Sequence, residues 1–322
     1  MEVHENDLVL STQGRAFWIL DDLSVIQQYE PAIAEKDLHL FRPRKAYRTN
    51  VGNYGANLHF YLKEAPATDA EVTLKIQDTN GQVIRTYQSS ASNRLNKIRA
   101  RKGFNSFSWD QRHDGPELVS DLVTMVLRTP SPGPRAVPGS YQAVLEIGDL
   151  KAQVPLELAN DPRWTDVTNA DYQAQLEMGL EMSEMLDEAH RRIKNLSAIK
   201  NQIKSSTQLA NQVKDQTTLK SKSKAAIKAL TAVEDMIIQN KAEASQDAIN
   251  YPRVFSNHLG RLYGVVTGAH HRPTDGAKER LADIKVEYQA IVTAYNKVMK
   301  EEVADFETFL SSAGVERIIH PE

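Results

Sequence analysis

Cysteine is absent from all 322 residues of the chain, which excludes disulfide bonds, thiolate nucleophiles and cysteine-based zinc sites. No apolar run reaches the length of about 18 residues that indicates a membrane-spanning helix. The sequence also contains no glycine-rich phosphate loop, no G-x-S-x-G elbow and no H-E-x-x-H zinc motif. We therefore predict no cofactor, no metal centre and no membrane span.

A strong charge of either sign is also missing. The 39 lysine and arginine residues nearly balance the 42 aspartate and glutamate residues, and the formal net charge is −3. This balance provides no overall attraction to nucleic acid or to an anionic membrane. The opening residues, MEVHENDLVL, lack the basic and apolar regions of a secretory signal, so we expect no signal peptide in this chain.

Up to about residue 160 the sequence has the alternating pattern of β-strands. Val72, Leu74 and Ile76 are separated by polar residues, and an Asn80-Gly81 turn leads to a second such run. Further strands are predicted at 58–63, 103–109, 139–147 and 151–158. Short strands separated by turn residues indicate an immunoglobulin-like β-sandwich of roughly seven strands, which we place at residues 49–160.

After residue 160 the apolar residues recur at spacings of three and four, the pattern of amphipathic helices. The apolar stripes cover residues 176–203, 219–237, 259–266 and 281–310. We predict an antiparallel bundle of three long helices and one short helix over residues 161–322. The whole chain is therefore expected to be an α+β multidomain protein.

Residues 5–22, ENDLVLSTQGRAFWILDD, contain two strands joined by a turn at Gln13-Gly14. A lone hairpin of this kind has marginal stability in water. The motif resembles the closing strands of the last blade in a sortilin-like, BNR-repeat β-propeller. Because few residues precede it, we interpret the chain as the C-terminal portion of a longer protein, or as the product of a gene that has lost its propeller.

The order of hairpin, sandwich and helices is similar to that of large bacterial proteins with a sortilin-like propeller. The resemblance is carried by DLVLSTQGRAFWILDDL (7–23), DLHLFRPRKAYR (37–48), EVTLKIQDTNGQVIRT (71–86), GFNSFSWDQRHDGP (103–116), PGSYQAVLEI (138–147) and NDPRWTDVTNADYQAQ (160–175). It implies that residues 1–48 are a remnant of the last propeller blade and a connector. Residues 71–147 also resemble the sandwich of flagellar hook-assembly and cell-surface sorting modules.

The resemblance to propeller proteins implies a non-catalytic accessory region of an exported protein, periplasmic or extracellular, that mediates protein–protein contacts. The partner would be another protein or the propeller portion of the same protein. Family members are often labelled glycosyl hydrolases because of their sialidase-like repeats. The alternative is therefore the C-terminal part of a glycosyl hydrolase whose catalytic propeller is absent from this chain. Neither interpretation predicts a catalytic residue here.

The second strand of the hairpin is the predicted interaction surface. Its residues Phe17, Trp18, Ile19 and Leu20 are all apolar. An exposed apolar edge strand promotes association, because its unpaired backbone groups can bond to another strand. We therefore predict self-association of the chain through this strand.

A basic segment lies between His190 and Lys228. It contains ten lysine or arginine residues and a single acid, Asp215. One interpretation is a patch for a polyanion such as acidic polysaccharide or phospholipid headgroups; the other is a solvated helical surface. The candidate residues of the patch are Lys214, Lys220, Lys222, Lys224 and Lys228. No aromatic residue is interleaved with these basic residues, so nucleic-acid binding is not favoured.

Three polar clusters have both a chemical and a structural interpretation. Asp21-Asp22 could pair an acid with a base, but adjacent strand residues point to opposite sides and an aspartate there caps a helix well. Asp110, His113 and Asp114, in WDQRHDG, could bind a divalent cation, yet such residues also build turns. His270-His271 could bind metal but lacks helical spacing or a third ligand. We interpret all three as structural.

Overall fold

The computed structural model describes residues 1–4, 6–49, 55–119, 126–127, 129–209 and 213–315 of the chain. The protein combines several β-sheets with a helical C-terminal region, which confirms the predicted mixed α+β class. Its packing divides the chain into two compact units: Met1–Asp114 with Pro132–Leu176, and Gly115–Ser131 with Glu177–Glu322. No helix within the described ranges is long and apolar enough to cross a membrane.

The described part of the first unit contains eleven strands. They are β1 (Glu2–His4), β2 (Asp7–Ser11), β3 (Phe17–Leu20), β4 (Leu38–Leu40), β5 (Ala46–Arg48), β6 (Ala56–Leu62), β7 (Val72–Gln77), β8 (Val83–Gln88), β9 (Gly103–Trp109), β10 (Gly139–Ile147) and β11 (Leu150–Asn160). A short helix, α1 (Ser24–Gln28), and a 3-10 turn (Pro31–Glu35) follow β3, and a second 3-10 turn (Arg94–Asn96) precedes β9.

These strands form three sheets, with orders β1-β2-β3, β5-β11-β10-β7-β8 and β4-β6-β9. Neighbouring strands are antiparallel except for β5, which pairs in parallel with β11. Strands β6 and β7 alternate buried and half-buried residues, as expected of strands with one face on a core. The second and third sheets share one hydrophobic core, which includes Leu58 and Phe60 of β6 and Leu74 and Ile76 of β7.

The Asn-Gly turn between β7 and β8 is formed as the sequence predicts. Gly81 has a φ of 81°, in the left-handed region that glycine adopts without strain. The carboxylate of Asp78 accepts hydrogen bonds from the backbone N–H groups of Asn80, at 2.9 Å, and Gln82, at 2.8 Å. Turn chemistry of this kind fixes the register of the two strands.

The helices of the C-terminal region are α2 (Asn169–Leu209), α3 (Gln216–Ile237), α4 (Phe255–Gly268), α5 (Asp275–Val298) and α6 (Ala304–Ser312). A π-helical turn, Met299–Val303, lies between α5 and α6, and a 3-10 turn, Ser245–Ile249, lies before α4. Asp215 caps α3 by accepting a bond from the Thr218 N–H at 2.9 Å. Thr274 caps α5 by accepting from the Ala277 N–H at 3.2 Å.

Two hydrophobic clusters hold the second unit together. One combines α2 residues such as Met182 and Leu186 with α4, α5 and the segment 115–131, which contributes Leu118 and Leu127. The other combines residues farther along α2 with α3 and α6, and includes Leu230 of α3. The predicted division at 49–160 assigns 115–131 to the sandwich, whereas in the structure this segment packs with the second unit.

Candidate functional site

Strand β3 exposes all of its apolar side chains. The exposed fractions are 72% for Phe17, 60% for Trp18, 62% for Ile19 and 48% for Leu20. Phe17 and Ile19 lie on one face of the strand and Trp18 and Leu20 on the other, because side chains alternate. Both faces of β3 therefore remain accessible, and this strand lies at the edge of its sheet.

The register of the hairpin shows which backbone groups of β3 face outward. The Thr12 N–H donates to the Ala16 carbonyl at 3.1 Å, and β2 and β3 continue in the same register. Hydrogen-bonded pairs recur at every second residue of an antiparallel ladder. Trp18 and Leu20 are thus bonded to β2, whereas the N–H and C=O groups of Phe17 and Ile19 point away from it.

Hydrogen bonds at the base of the hairpin join its two ends and connect it to Arg44. Asp7 accepts bonds from Arg44 Nη1 at 2.8 Å and from the Asp22 N–H at 2.9 Å. The Leu23 N–H donates to the Asn6 carbonyl at 2.8 Å. None of these bonds involves β3, whose side chains stay exposed.

The adjacent carboxylates Asp21 and Asp22 have different surroundings. Asp21 is exposed, whereas the side chain of Asp22 is only 4% exposed. Asp22 Oδ1 accepts a bond from the Ser24 N–H at 3.0 Å at the start of α1, and Oδ2 lies 3.7 Å from Nε2 of His59. Burial lowers the pKa of His59 and Asp22 opposes that effect. The two carboxylates do not converge on a common point.

The polar cluster WDQRHDG surrounds a buried arginine. Arg85 Nη1 donates to Asp114 Oδ1 at 3.2 Å, and Arg85 Nη2 lies 3.7 Å from Asp110 Oδ2. Burial lowers the pKa of His113 to about 4. The carboxylates of Asp110 and Asp114 both pair with the Arg85 guanidinium. This pairing is in keeping with a structural role for the cluster.

The histidine pair does not form a metal centre in the described part of the chain. His270 is buried, whereas His271 is exposed and its Nδ1 lies 2.7 Å from the Arg272 carbonyl. Within the described ranges, no group of three or more histidine or acidic side chains is arranged to hold a metal ion.

The predicted polyanion patch divides into two environments. Lys220, Lys224 and Lys228 are exposed along α3, and Lys214 is exposed just before it. Lys222 is half-buried and forms an ion pair with Asp305 of α6. The sequence pattern could not separate them, because the partner of Lys222 lies 83 residues away.

An open groove of about 610 Å³ is lined by residues 65–72, Ser89, Ser90 and residues 98–101. Its carboxylate, Glu71, accepts a bond from Ser89 Oγ at 3.2 Å and from Ser90 Oγ at 3.0 Å. The Ser90 N–H also donates to Glu71 at 3.1 Å, and this bond, together with those from the two hydroxyl groups, lowers the pKa of Glu71. A carboxylate with a lowered pKa is ionised at neutral pH and has no proton to donate. It therefore does not suit the role of a general acid.

Sequence reasoning missed two buried side chains that organise the structure. Arg48 has no exposed surface, donates to the Ala136 carbonyl at 3.0 Å and lies 4.1 Å over the ring of Tyr172. His190 of α2 is also fully buried. Neither residue is marked in the sequence, because a single arginine or histidine shows no periodicity that would indicate burial.

Comparison with known proteins identifies no family for this chain: no protein-family model matches it, and no match to a curated protein is found. Function is therefore inferred from the geometry of the described residues. Among the candidate surfaces, β3 combines exposed apolar side chains with outward-facing backbone groups. This combination is what a second β-strand binds.

Proposed function

We propose that the chain is a non-catalytic interaction region that forms protein–protein contacts by pairing the outer edge of β3 with another β-strand. The observation that carries this proposal is the joint exposure of four apolar side chains and of the backbone groups of Phe17 and Ile19. Strand addition gives affinity through main-chain hydrogen bonds and specificity through alternate side chains.

The resemblance supports a more specific version of this proposal. In an exported sortilin-like propeller protein, β3 would belong to the last blade, the two sheets with a common core would form an immunoglobulin-like sandwich, and α2–α6 would form an antiparallel bundle. The strand beside β3 would then come from the propeller. When this chain is alone in solution, β3 of a second copy would take the place of the propeller strand beside β3.

The outward groups of Phe17 and Ile19 define how two copies would pair. An antiparallel, two-fold arrangement that bonds Phe17 of one copy to Ile19 of the other puts the two Trp18 residues opposite each other. They then form a non-hydrogen-bonded pair with Cα atoms about 4.5 Å apart. This separation lies within the range that a disulfide bridges.

The cysteine-free chain allows a direct test of this pairing. Trp18→Cys should form a disulfide-linked dimer under mild oxidation, observed by non-reducing electrophoresis. Ile19→Cys is the matched control, because the two Ile19 residues are offset along the strands and lie beyond the reach of about 7 Å. Equal cross-linking of both variants, or of neither, would contradict the proposed register.

The interaction itself is tested with the unmodified chain by sedimentation velocity over a concentration series. We expect a dimer whose fraction rises with concentration. Ile19→Pro should abolish it, because a proline ring blocks the outer edge but leaves the bonds between β2 and β3 in place. Ile19→Val should retain association, and a monomer at every concentration would count against the proposal.

A further inference from the structure

We propose that α3 binds a linear anionic polysaccharide through Lys220, Lys224 and Lys228, named here the lysine stripe. The three residues are spaced by four positions, so their Cα atoms rise along one face of the helix in steps of about 6 Å. The opposite face, which includes Leu219, Ala226 and Leu230, is buried in the hydrophobic core. The stripe is thus a row of positive charges on a helix held by its other side.

The charges of the lysine stripe are not neutralised within the described part of the chain. None of the three lysines forms an ion pair with a described residue, whereas Lys222 pairs with Asp305. The acids nearest along the chain have other partners: Asp215 accepts from the Thr218 N–H at 2.9 Å, Glu234 pairs with Lys200, and Asp235 accepts from Asn240 Nδ2 at 2.9 Å. Like charges four residues apart repel each other on a helix, and an anionic polymer would relieve that repulsion.

The residues around the lysine stripe select the class of polyanion. The exposed positions beside it are Thr217, Ser221 and Ala225. With no aromatic ring, the stripe has no platform on which nucleic-acid bases stack. With no large apolar side chain, it has nothing to insert into a lipid surface. A carboxylated polysaccharide matches both the row of charges and the hydroxyl groups of Thr217 and Ser221.

Because the net charge of the protein is negative, only the local positive charge of the lysine stripe can attract a polyanion. With a formal charge of −3 and a pI near 6.3, the whole molecule does not attract a polyanion at neutral pH. Binding through the stripe must therefore depend on a few lysines and weaken steeply with salt.

The test measures binding of fluorescein-labelled polygalacturonate to the full chain by fluorescence anisotropy, with neutral pullulan as the reference polymer. We expect binding to polygalacturonate alone, and affinity that falls on the order of tenfold between about 50 and 200 mM salt. Changing the stripe with Lys220→Gln, Lys224→Gln and Lys228→Gln together should weaken binding on the order of tenfold.

Lys222→Gln is the matched control, because it removes a lysine of the same helix that is already paired with Asp305. It should retain the affinity of the unmodified chain. The triple variant should keep its helical circular dichroism and its melting temperature, since it removes repulsion rather than contacts. Absence of binding at low salt, equal losses in Lys222→Gln, or tighter binding to a single-stranded oligonucleotide or to phosphatidylglycerol vesicles would each overturn the proposal.

Discussion

His190 is a fully buried imidazole that joins three parts of the second unit. Its Nδ1 accepts a hydrogen bond from the Val119 N–H at 3.2 Å, and its Nε2 lies 3.3 Å from Ser256 Oγ of α4. Because Nδ1 is an acceptor, the ring proton is on Nε2 and is donated to the serine. Burial, with a smaller contribution from Lys194, lowers the pKa of His190 to about 4.

We predict that this histidine makes the second unit less stable in acid. The pKa in the folded state is below the ordinary value of 6.5, so the unfolded chain binds the proton more tightly and stability is lost as the pH falls from 6.5 towards 4. The loss by pH 4 is roughly 3 kcal/mol. Urea unfolding followed by helical circular dichroism at several pH values measures it.

His190→Asn is the control for this titration, because its amide oxygen can replace Nδ1 as the acceptor but does not titrate. Burial raises the pKa of the nearby Asp187 carboxyl, which changes stability in the opposite direction, but this residue is present in both proteins. The difference in unfolding free energy between the two proteins therefore reports on His190. A difference independent of pH would show that the imidazole does not resist protonation.

The local roles of single residues were only partly predictable from the sequence. The structural interpretation of Asp110 and Asp114 rested on turn chemistry, but their partner, Arg85, lies 29 residues from Asp114. Pairings across such separations follow from the folded topology, which spacing along the chain does not encode. The same reason explains why the ion pair between Lys222 and Asp305 was not expected.

At the scale of elements, the bounds of strands and helices with a clear hydrophobic periodicity were predicted closely. The expected strands at 103–109 and 139–147 have the bounds of β9 and β10, and the second apolar stripe at 219–237 lies within α3. The strands that were not predicted, β1, β4 and β5, are three residues long. Three residues are too few to establish an alternating pattern, and these strands form where a neighbouring strand supplies hydrogen bonds.

Two glycines in α4 provide a matched pair for testing how this helix packs. A Cβ built on Gly260 would lie 2.4 Å from Cγ and 2.6 Å from Cδ2 of Leu127, whereas one on Gly264 meets nothing within 4 Å. We predict that Gly260→Ala destabilises the second unit by about 1–3 kcal/mol through overpacking. Gly264→Ala should stabilise it by about 0.5–1 kcal/mol through helix propensity.

Chemical unfolding of the two glycine variants distinguishes packing from propensity. Adding Leu127→Ala to Gly260→Ala should remove the clash, so the two substitutions should cost less together than the sum of their separate effects. If both alanine variants stabilised α4 equally, Leu127 would not approach the helix as closely as described.

At the scale of the whole molecule, the chain is divided into units that are not continuous in sequence. The segment 115–131 belongs with the helices, to which it contributes Leu118 and Leu127. Polar contacts join the same segment to α2: the Glu117 N–H donates to Asp187, and the Glu117 carboxylate pairs with Lys194. The sequence boundary at residue 160 missed this, because hydrophobic periodicity reports on single elements and not on which elements pack together.

We predict that a fragment of residues 161–322 is much less stable than the same helices in the full chain. It lacks two buried leucine side chains, whose loss costs roughly 4–10 kcal/mol by core-truncation values. This cost is comparable to the whole stability of a typical domain. Thermal melting followed by helical circular dichroism should therefore show an early, broad transition, together with binding of a hydrophobic dye.

A peptide of residues 113–131 added to this fragment should bind it and raise its melting temperature, because ligands of the folded state stabilise it by mass action. A peptide carrying Leu118→Asp and Leu127→Asp should have no effect, since charged residues cannot replace leucine in the apolar cluster. If the fragment melted as late and as sharply as the helices of the full chain, and the peptide changed nothing, the helical core would be complete without this segment. Rescue by the leucine peptide alone would establish that one unit is built from two separated stretches of sequence.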